Sequence, residues 1–120
     1  MASEITVTMS LLALKGSVTA TMSDSAKAYD MTGTKVLHNV QNVGFAAEEA
    51  LGMGDITSPS WAYFRNLDAT NFVEIRAATG ESDLIKLKPG EHACFPLVAT
   101  APFVQADTAA VDLEYIITEE

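Results

Sequence analysis

Apolar and polar positions alternate from the start of the chain. Ile5, Val7, Met9 and Leu11 fall on one side of an extended backbone, with Thr6, Thr8 and Ser10 on the other. A period of two with β-branched residues predicts a half-buried strand. Lys15-Gly16 marks a turn, and Val18, Ala20 and Met22 then alternate with Ser17, Thr19 and Thr21. The two runs predict a β-hairpin over residues 4–22. After a turn at Ser23-Asp24-Ser25, Ala26 to Met31 reads as a short strand. Thr34 to Val43 is extended, with Val36 and Val40 on one side and polar residues weakening the alternation.

Residues 44–54 break the pattern. Ala and Glu between bracketing glycines favour helix, but the stretch is too short for an independent one. It fits either a single helical turn or an extended crossing segment. The second half returns to strands. Trp61 to Asn66 is rich in aromatics, Val73 and Ile75 alternate with Glu74 and Arg76, and Ile85 and Leu87 with Lys86 and Lys88. Ala93 to Val98 is almost wholly apolar and predicts a central strand. Val111, Leu113, Tyr115 and Ile117 alternate with Asp112 and Glu114, which predicts one buried and one exposed face. Turns at 68–71, 79–82, 88–91 and 100–102 separate these runs at short intervals. Many short strands at that spacing, without intervening helices, predict an all-β antiparallel sandwich of jelly-roll type with about eight strands. The expected organisation is a single β-sandwich domain over 1–120, without repeat or linker, holding at most one short helical turn.

Charge narrows the partners. Sixteen acidic residues against seven basic ones leave a net charge of −9. Phosphate backbones and anionic membranes repel such a surface, so neither nucleic acid nor membrane is an expected partner. Met1 to Ile5 carries no basic leader and does not read as a secretory signal. Leu11-Leu12-Ala13-Leu14 is too short to span a bilayer.

Candidate chemistry is sparse. Cys94 is the one cysteine and sits in an apolar run, which points to a buried, inert thiol. His38 and His92 lie far apart with no metal-ligand spacing around them, and read as surface or hydrogen-bonded core histidines. Glu48-Glu49 and Glu119-Glu120 are acidic pairs. Carboxylate pairs do acid–base work only when surroundings split their pKa values, so both pairs read as solvated charge. Asp24, Asp30 and Asp55 do not form a calcium loop. Trp61 and Tyr63 point one way along their strand and Phe64 the other, which fits core aromatics better than a stacking platform for sugars. No phosphate-binding loop or nucleophile elbow occurs. No catalytic, cofactor-binding or metal-binding residue is therefore expected, and the chain reads as a non-enzyme.

Three stretches carry a resemblance. They are Asn66-Leu67-Asp68-Ala69-Thr70-Asn71-Phe72-Val73-Glu74-Ile75, Ile85-Lys86-Leu87-Lys88-Pro89-Gly90-Glu91, and Ala106-Asp107-Thr108-Ala109-Ala110-Val111-Asp112-Leu113-Glu114-Tyr115-Ile116-Ile117. In this order they resemble small β-rich virion proteins of tailed bacteriophages, over residues 34–120; the resemblance does not extend to the first 33 residues. The resemblance implies an assembly part, made in the host bacterial cytoplasm and located in the virion. Its first form is a capsid decoration or cement protein on the capsid exterior, partnered by the major capsid protein. The alternatives are a tail or head–tail connector component and a carbohydrate-binding module using Trp61 and Tyr63. The resemblance transfers no ligand or catalytic residues. The apolar-faced strand from Ile5 to Leu11 adds an expectation of a homo-oligomer, with a trimer favoured, if another chain covers that edge. The alternative is that the hairpin completes its own sandwich.

Overall fold

Strands account for all the regular structure of the computed structural model, which describes residues 4–120. They are β1 (Ile5–Lys15), β2 (Val18–Tyr29), β3 (Val36–Val43), β4 (Glu49–Ala50), β5 (Pro59–Asn66), β6 (Val73–Arg76), β7 (Asp83–Leu87), β8 (His92–Pro96), β9 (Phe103–Ala106) and β10 (Val111–Glu119). Every pairing is antiparallel. The chain divides into two units, one ending at Thr32 and the other running Gly33–Glu120.

The first unit is the hairpin β1–β2, and it is longer than the alternation predicted. Lys15 pairs with Val18 across Gly16-Ser17, and Gly16 takes φ 60°, as the first loop position of a type II′ turn requires. The short strand expected at Ala26–Met31 is instead the continuation of β2. A bulge makes this possible. Thr8 on β1 faces Ser25 and Ala26 together, because Val7 pairs with Lys27 and Met9 with Asp24. Ala26 takes the left-handed φ of 53° and its N–H donates to Thr8 Oγ1 at 3.0 Å. Ile5 and Val7 are buried, but Met9, Leu11, Leu12, Leu14, Val18 and Met22 are all exposed. The half-buried face predicted for the first strand therefore ends at Val7.

The second unit holds two four-stranded sheets, ordered β3-β10-β5-β8 and β4-β9-β6-β7. Its core draws on both. Val43, Ala62, Phe64, Val111, Leu113, Tyr115 and Ile117 come from the first sheet, and Val73, Ile75, Leu87, Val104 and Ala106 from the second. The predicted register of β10 holds: Val111, Leu113, Tyr115 and Ile117 are fully buried while Asp112 is exposed. One expectation fails. Ala93–Val98 does not form a central strand, because β8 is a sheet edge with no buried residue and Val98 is 90% exposed. Of the two readings open for residues 44–54, the extended one holds: they cross between the sheets in a segment containing β4.

Turn chemistry sets the connections. Asn66 is 1% exposed, and its Nδ2 donates to the carbonyls of Asn71 (2.9 Å) and Leu87 (3.0 Å). Its Oδ1 accepts the Asp68 N–H at 2.8 Å, and Asp68 in turn accepts the N–H groups of Thr70 and Asn71. Those backbone bonds hold the Asp68 carboxyl below the usual range. At Lys88-Pro89-Gly90-Glu91 the proline presets φ, Gly90 takes φ 78°, and the Glu91 N–H closes onto the Lys88 carbonyl at 2.9 Å.

Leu113→Ala is expected to cost about 2–5 kcal/mol, the range for a leucine removed from a close-packed core. Asp112→Ala, on the exposed side of the same strand, is expected to stay within about 0.5 kcal/mol. Urea denaturation of both variants measures the contrast, and equal losses would contradict the register of β10.

Candidate functional site

Alternation along β3, β10, β5 and β8 sends one set of side chains into the core and the other onto a single outer face. The register lines up that outer set. Glu114 on β10 lies between Val40 on β3 and Arg65 on β5, and Ile116 lies between His38 and Tyr63. Farther across, Tyr63 is opposite Cys94 and Arg65 opposite His92 on β8.

Glu114 is the centre of this face. Its Oε1 accepts from Arg65 Nε at 3.1 Å and from Arg65 Nη2, and its Oε2 accepts from His38 Nε2 at 2.8 Å. The bonds from Arg65 and then His38 hold the Glu114 carboxyl below its usual range, and the same contact raises Arg65. An ionised carboxylate engaged through both oxygens has no proton to donate. The cluster fixes the orientation of all three side chains. His38, Tyr63, Arg65, Glu114, Tyr115 and Ile116 line a shallow hollow of about 210 Å³. Around it lie exposed apolar groups: Val36, Val40, Ile116 and Tyr63. Val36 and Val40 share one side of their strand, as the sequence pattern predicts, and that side faces outward.

The other sequence candidates are distributed as follows. Cys94 is half-buried on edge strand β8, and burial alone pushes its thiol pKa up, away from the thiolate form. His38 and His92 occupy opposite edge strands, about 14 Å apart at ordinary strand spacing. Phe64 is core, with its ring centroid 5.8 Å from Phe95 and 5.9 Å from Tyr115. Tyr63 is exposed and 6.0 Å from the His92 ring, so the aromatic run splits between core and surface. Trp61 is partly buried.

The acidic pairs are not merely solvated. Glu48 accepts from Arg76 (2.9 Å), the Thr79 hydroxyl and the Gly80 N–H (2.8 Å), which together lower its pKa, the hydroxyl most. Glu49 accepts from Gln41 Nε2 at 2.9 Å and the Gly44 N–H at 2.8 Å. Both glutamates thus tie the crossing segment to its neighbours. Glu119 accepts the Thr34 N–H at 3.3 Å, and the Glu120 carbonyl accepts the Gly33 N–H at 2.8 Å. Asp24, Asp30 and Asp55 are exposed and do not converge, and among the described residues no three His, Cys, Asp or Glu side chains group as metal ligands.

Besides the Glu114 cluster, sequence reading missed a second one. Arg76 bonds Asp83 (2.6 Å), Glu48 (2.9 Å) and Glu74 (3.4 Å) with only 15% of its side chain exposed. Burial and the adjacent Asp83 carboxylate raise Glu74, while Arg76 lowers Asp83. The signal lay in the cross-strand pairing of Arg76 with Asp83, which becomes visible only once β6 and β7 are in register.

No protein-family model, no curated protein and no solved structure matches this chain. Among the described residues, no helix is long and apolar enough to cross a membrane.

A depressed carboxyl pKa contributes stability that is present above the unfolded-state value, about 4.3 for Glu, and is lost as pH falls through the folded-state value. Glu114→Gln removes that contribution. The variant is expected to be less stable than wild type near neutral pH, with the gap narrowing as pH falls below the ordinary glutamate range. Urea denaturation across a pH series measures it, and a constant gap would show that the ion cluster contributes nothing.

Proposed function

We propose that this chain is a non-enzymatic virion structural protein of a tailed phage, a capsid decoration (cement) protein that docks on the capsid exterior. The observation that carries the reading is the outer face around Glu114. There an ion-paired centre is accompanied by exposed Val36, Val40, Ile116 and Tyr63 on three adjoining strands. A continuous face with apolar groups and internally paired charge is suited to contact with another protein. The resemblance over residues 34–120 supports the same reading.

We also read the second unit as a sandwich of jelly-roll type. With β3 to β10 renumbered one to eight, the sheet orders become 1-8-3-6 and 2-7-4-5. That order suits eight strands wound as two Greek keys, an architecture used by viral capsid and lectin domains. Charge favours a basic partner surface on the major capsid protein. Gly33–Glu120 carries five basic residues against 13 acidic ones, a net of −8. Synthesis in the host bacterial cytoplasm and residence in the virion belong to this reading. A tail or head–tail connector component is the neighbouring alternative, told apart by whether the protein co-purifies with tails.

One feature favours a carbohydrate-binding reading as the second choice. Tyr63 presents an exposed aromatic ring beside Arg65 and Glu114 in the hollow, a combination able to stack on and hydrogen-bond a sugar. Saturable quenching of Trp61 fluorescence by an oligosaccharide would favour it.

The decoration reading is tested by adding the purified protein to preformed capsids that lack it. Wild type is expected to saturate the shell, and attachment is expected to weaken as salt screens the acidic body. Val40→Lys with Ile116→Lys is expected to weaken attachment at least about tenfold, the effect of losing a central apolar contact. Failure of wild type to attach would overturn the proposal.

A further inference from the structure

Beyond Val7 the apolar side chains of hairpin β1–β2 are exposed. Cross-strand partners in an antiparallel pair share a face. The register therefore places Met9, Leu11, Ala13 and Lys15 on one face with Asp24, Met22, Ala20 and Val18. Leu11 is 73% exposed, Met22 76% and Val18 68%. The opposite face carries Leu12 and Leu14 among Ser10, Thr19, Thr21 and Ser23. A two-stranded hairpin alone in water is marginal, and both strands here have a free edge.

Three properties of the Leu11 face identify its occupant. First, it has relief. Leu11 pairs with Met22 as a ridge, and the next pair along the face, Ala13 with Ala20, is a hollow. A second hairpin turned by a two-fold rotation sets its own Leu11–Met22 ridge into that hollow, and the fit is reciprocal, as a two-fold contact requires. Second, it has enough area. The exposed apolar groups of this face amount to on the order of 500 Å² per copy, so a face-to-face pair buries roughly the 1,000 Å² that marks a specific interface. Third, it is nearly neutral, because Lys15 and Asp24 at its two ends are of opposite sign. Lys15 is the only charged residue between Glu4 and Asp24, whereas Gly33–Glu120 holds most of the negative charge. The bodies repel one another, and the near-neutral arm is the surface on which two copies can meet without that penalty.

We propose that the Met9–Met22 arm is a self-association surface whose occupant is the same face of a second copy, in a two-fold pair rather than the trimer expected from sequence. The assignment does not rest on what larger assembly the protein serves.

Sedimentation equilibrium of the full chain over the micromolar range tests it. Wild type is expected to dimerise. Leu11→Lys with Met22→Lys is expected to raise the dissociation constant at least about 100-fold, while Leu12→Lys with Leu14→Lys, on the other face, changes it less than about threefold. The near-ultraviolet circular dichroism of Trp61 checks that the body stays folded. Ala13→Phe separates relief from mere stickiness. It keeps a strand-favouring side chain and adds apolar area, yet fills the hollow, and is expected to weaken the dimer. A monomeric wild type, equal losses in both lysine variants, or tighter association of Ala13→Phe would overturn the proposal. Capsid attachment, scored separately with the monomeric variant, keeps the two readings independent.

Discussion

Strand β10 is the constraint on which the second unit depends. It pairs with β3 on one side and β5 on the other, and every second residue from Val111 to Ile117 is fully buried. A one-residue slip would carry Val111, Leu113, Tyr115 and Ile117 to the outer face and Asp112 and Glu114 into the core. The cost of burying two carboxylates makes the register unambiguous. The outer face follows from it, because Glu114 meets Arg65 and His38 only in this register.

Tyr115 shows how the same strand organises the crossing segment. Its ring is fully buried, but its hydroxyl donates to the Gly52 carbonyl at 2.5 Å and accepts from Asn39 Nδ2 at 3.1 Å. Gln41 then grips the same segment from β3, accepting the Gly52 N–H at 2.8 Å and donating to the Ala50 carbonyl at 3.1 Å. Extended backbone with few ladder bonds of its own must satisfy its polar groups elsewhere, and these side chains do so. That explains why a stretch rich in Ala and Glu is not helical here: tertiary bonds to Gln41, Tyr115, Arg76 and Thr79 outweigh local propensity.

What was legible in the sequence was local. The period-two pattern located β6 and β10 with the correct buried faces, and the short polar side chains of 66–71 announced their turn. What failed depended on neighbours. The apolar run at 93–98 has the composition of a central strand, but β8 is a sheet edge, with Ala93 and Phe95 against the core and Val98 out in solvent. The pattern of β1 promised a buried face that only Ile5 and Val7 obtain. Composition records that apolar surface exists, not which element covers it. The Glu114 cluster was invisible for a related reason: its partners stand 49 and 76 residues away in the chain, and only the sheet order brings them together.

The placement of charge separates the two units by physical character. In the second unit, Arg65 and Arg76 are paired with carboxylates, Lys35 donates to the Asp55 carbonyl, and Lys86 lies 4.1 Å from the centre of the Phe72 ring. Most of its few cations thus serve internal contacts, and the acidic excess is left for solvent. An excess of one sign keeps such a body soluble and opposes close approach of its own copies. The hairpin has the opposite character: three charged residues, Lys15, Asp24 and Lys27, with a net of +1, and apolar side chains on both faces. Its length is not required by the core of Gly33–Glu120, whose buried residues all lie between Val43 and Ile117. That segment lies outside this core, yet is built of 11- and 12-residue strands with a matched bulge and a type II′ turn, and the proposed self-association gives its exposed apolar content a use.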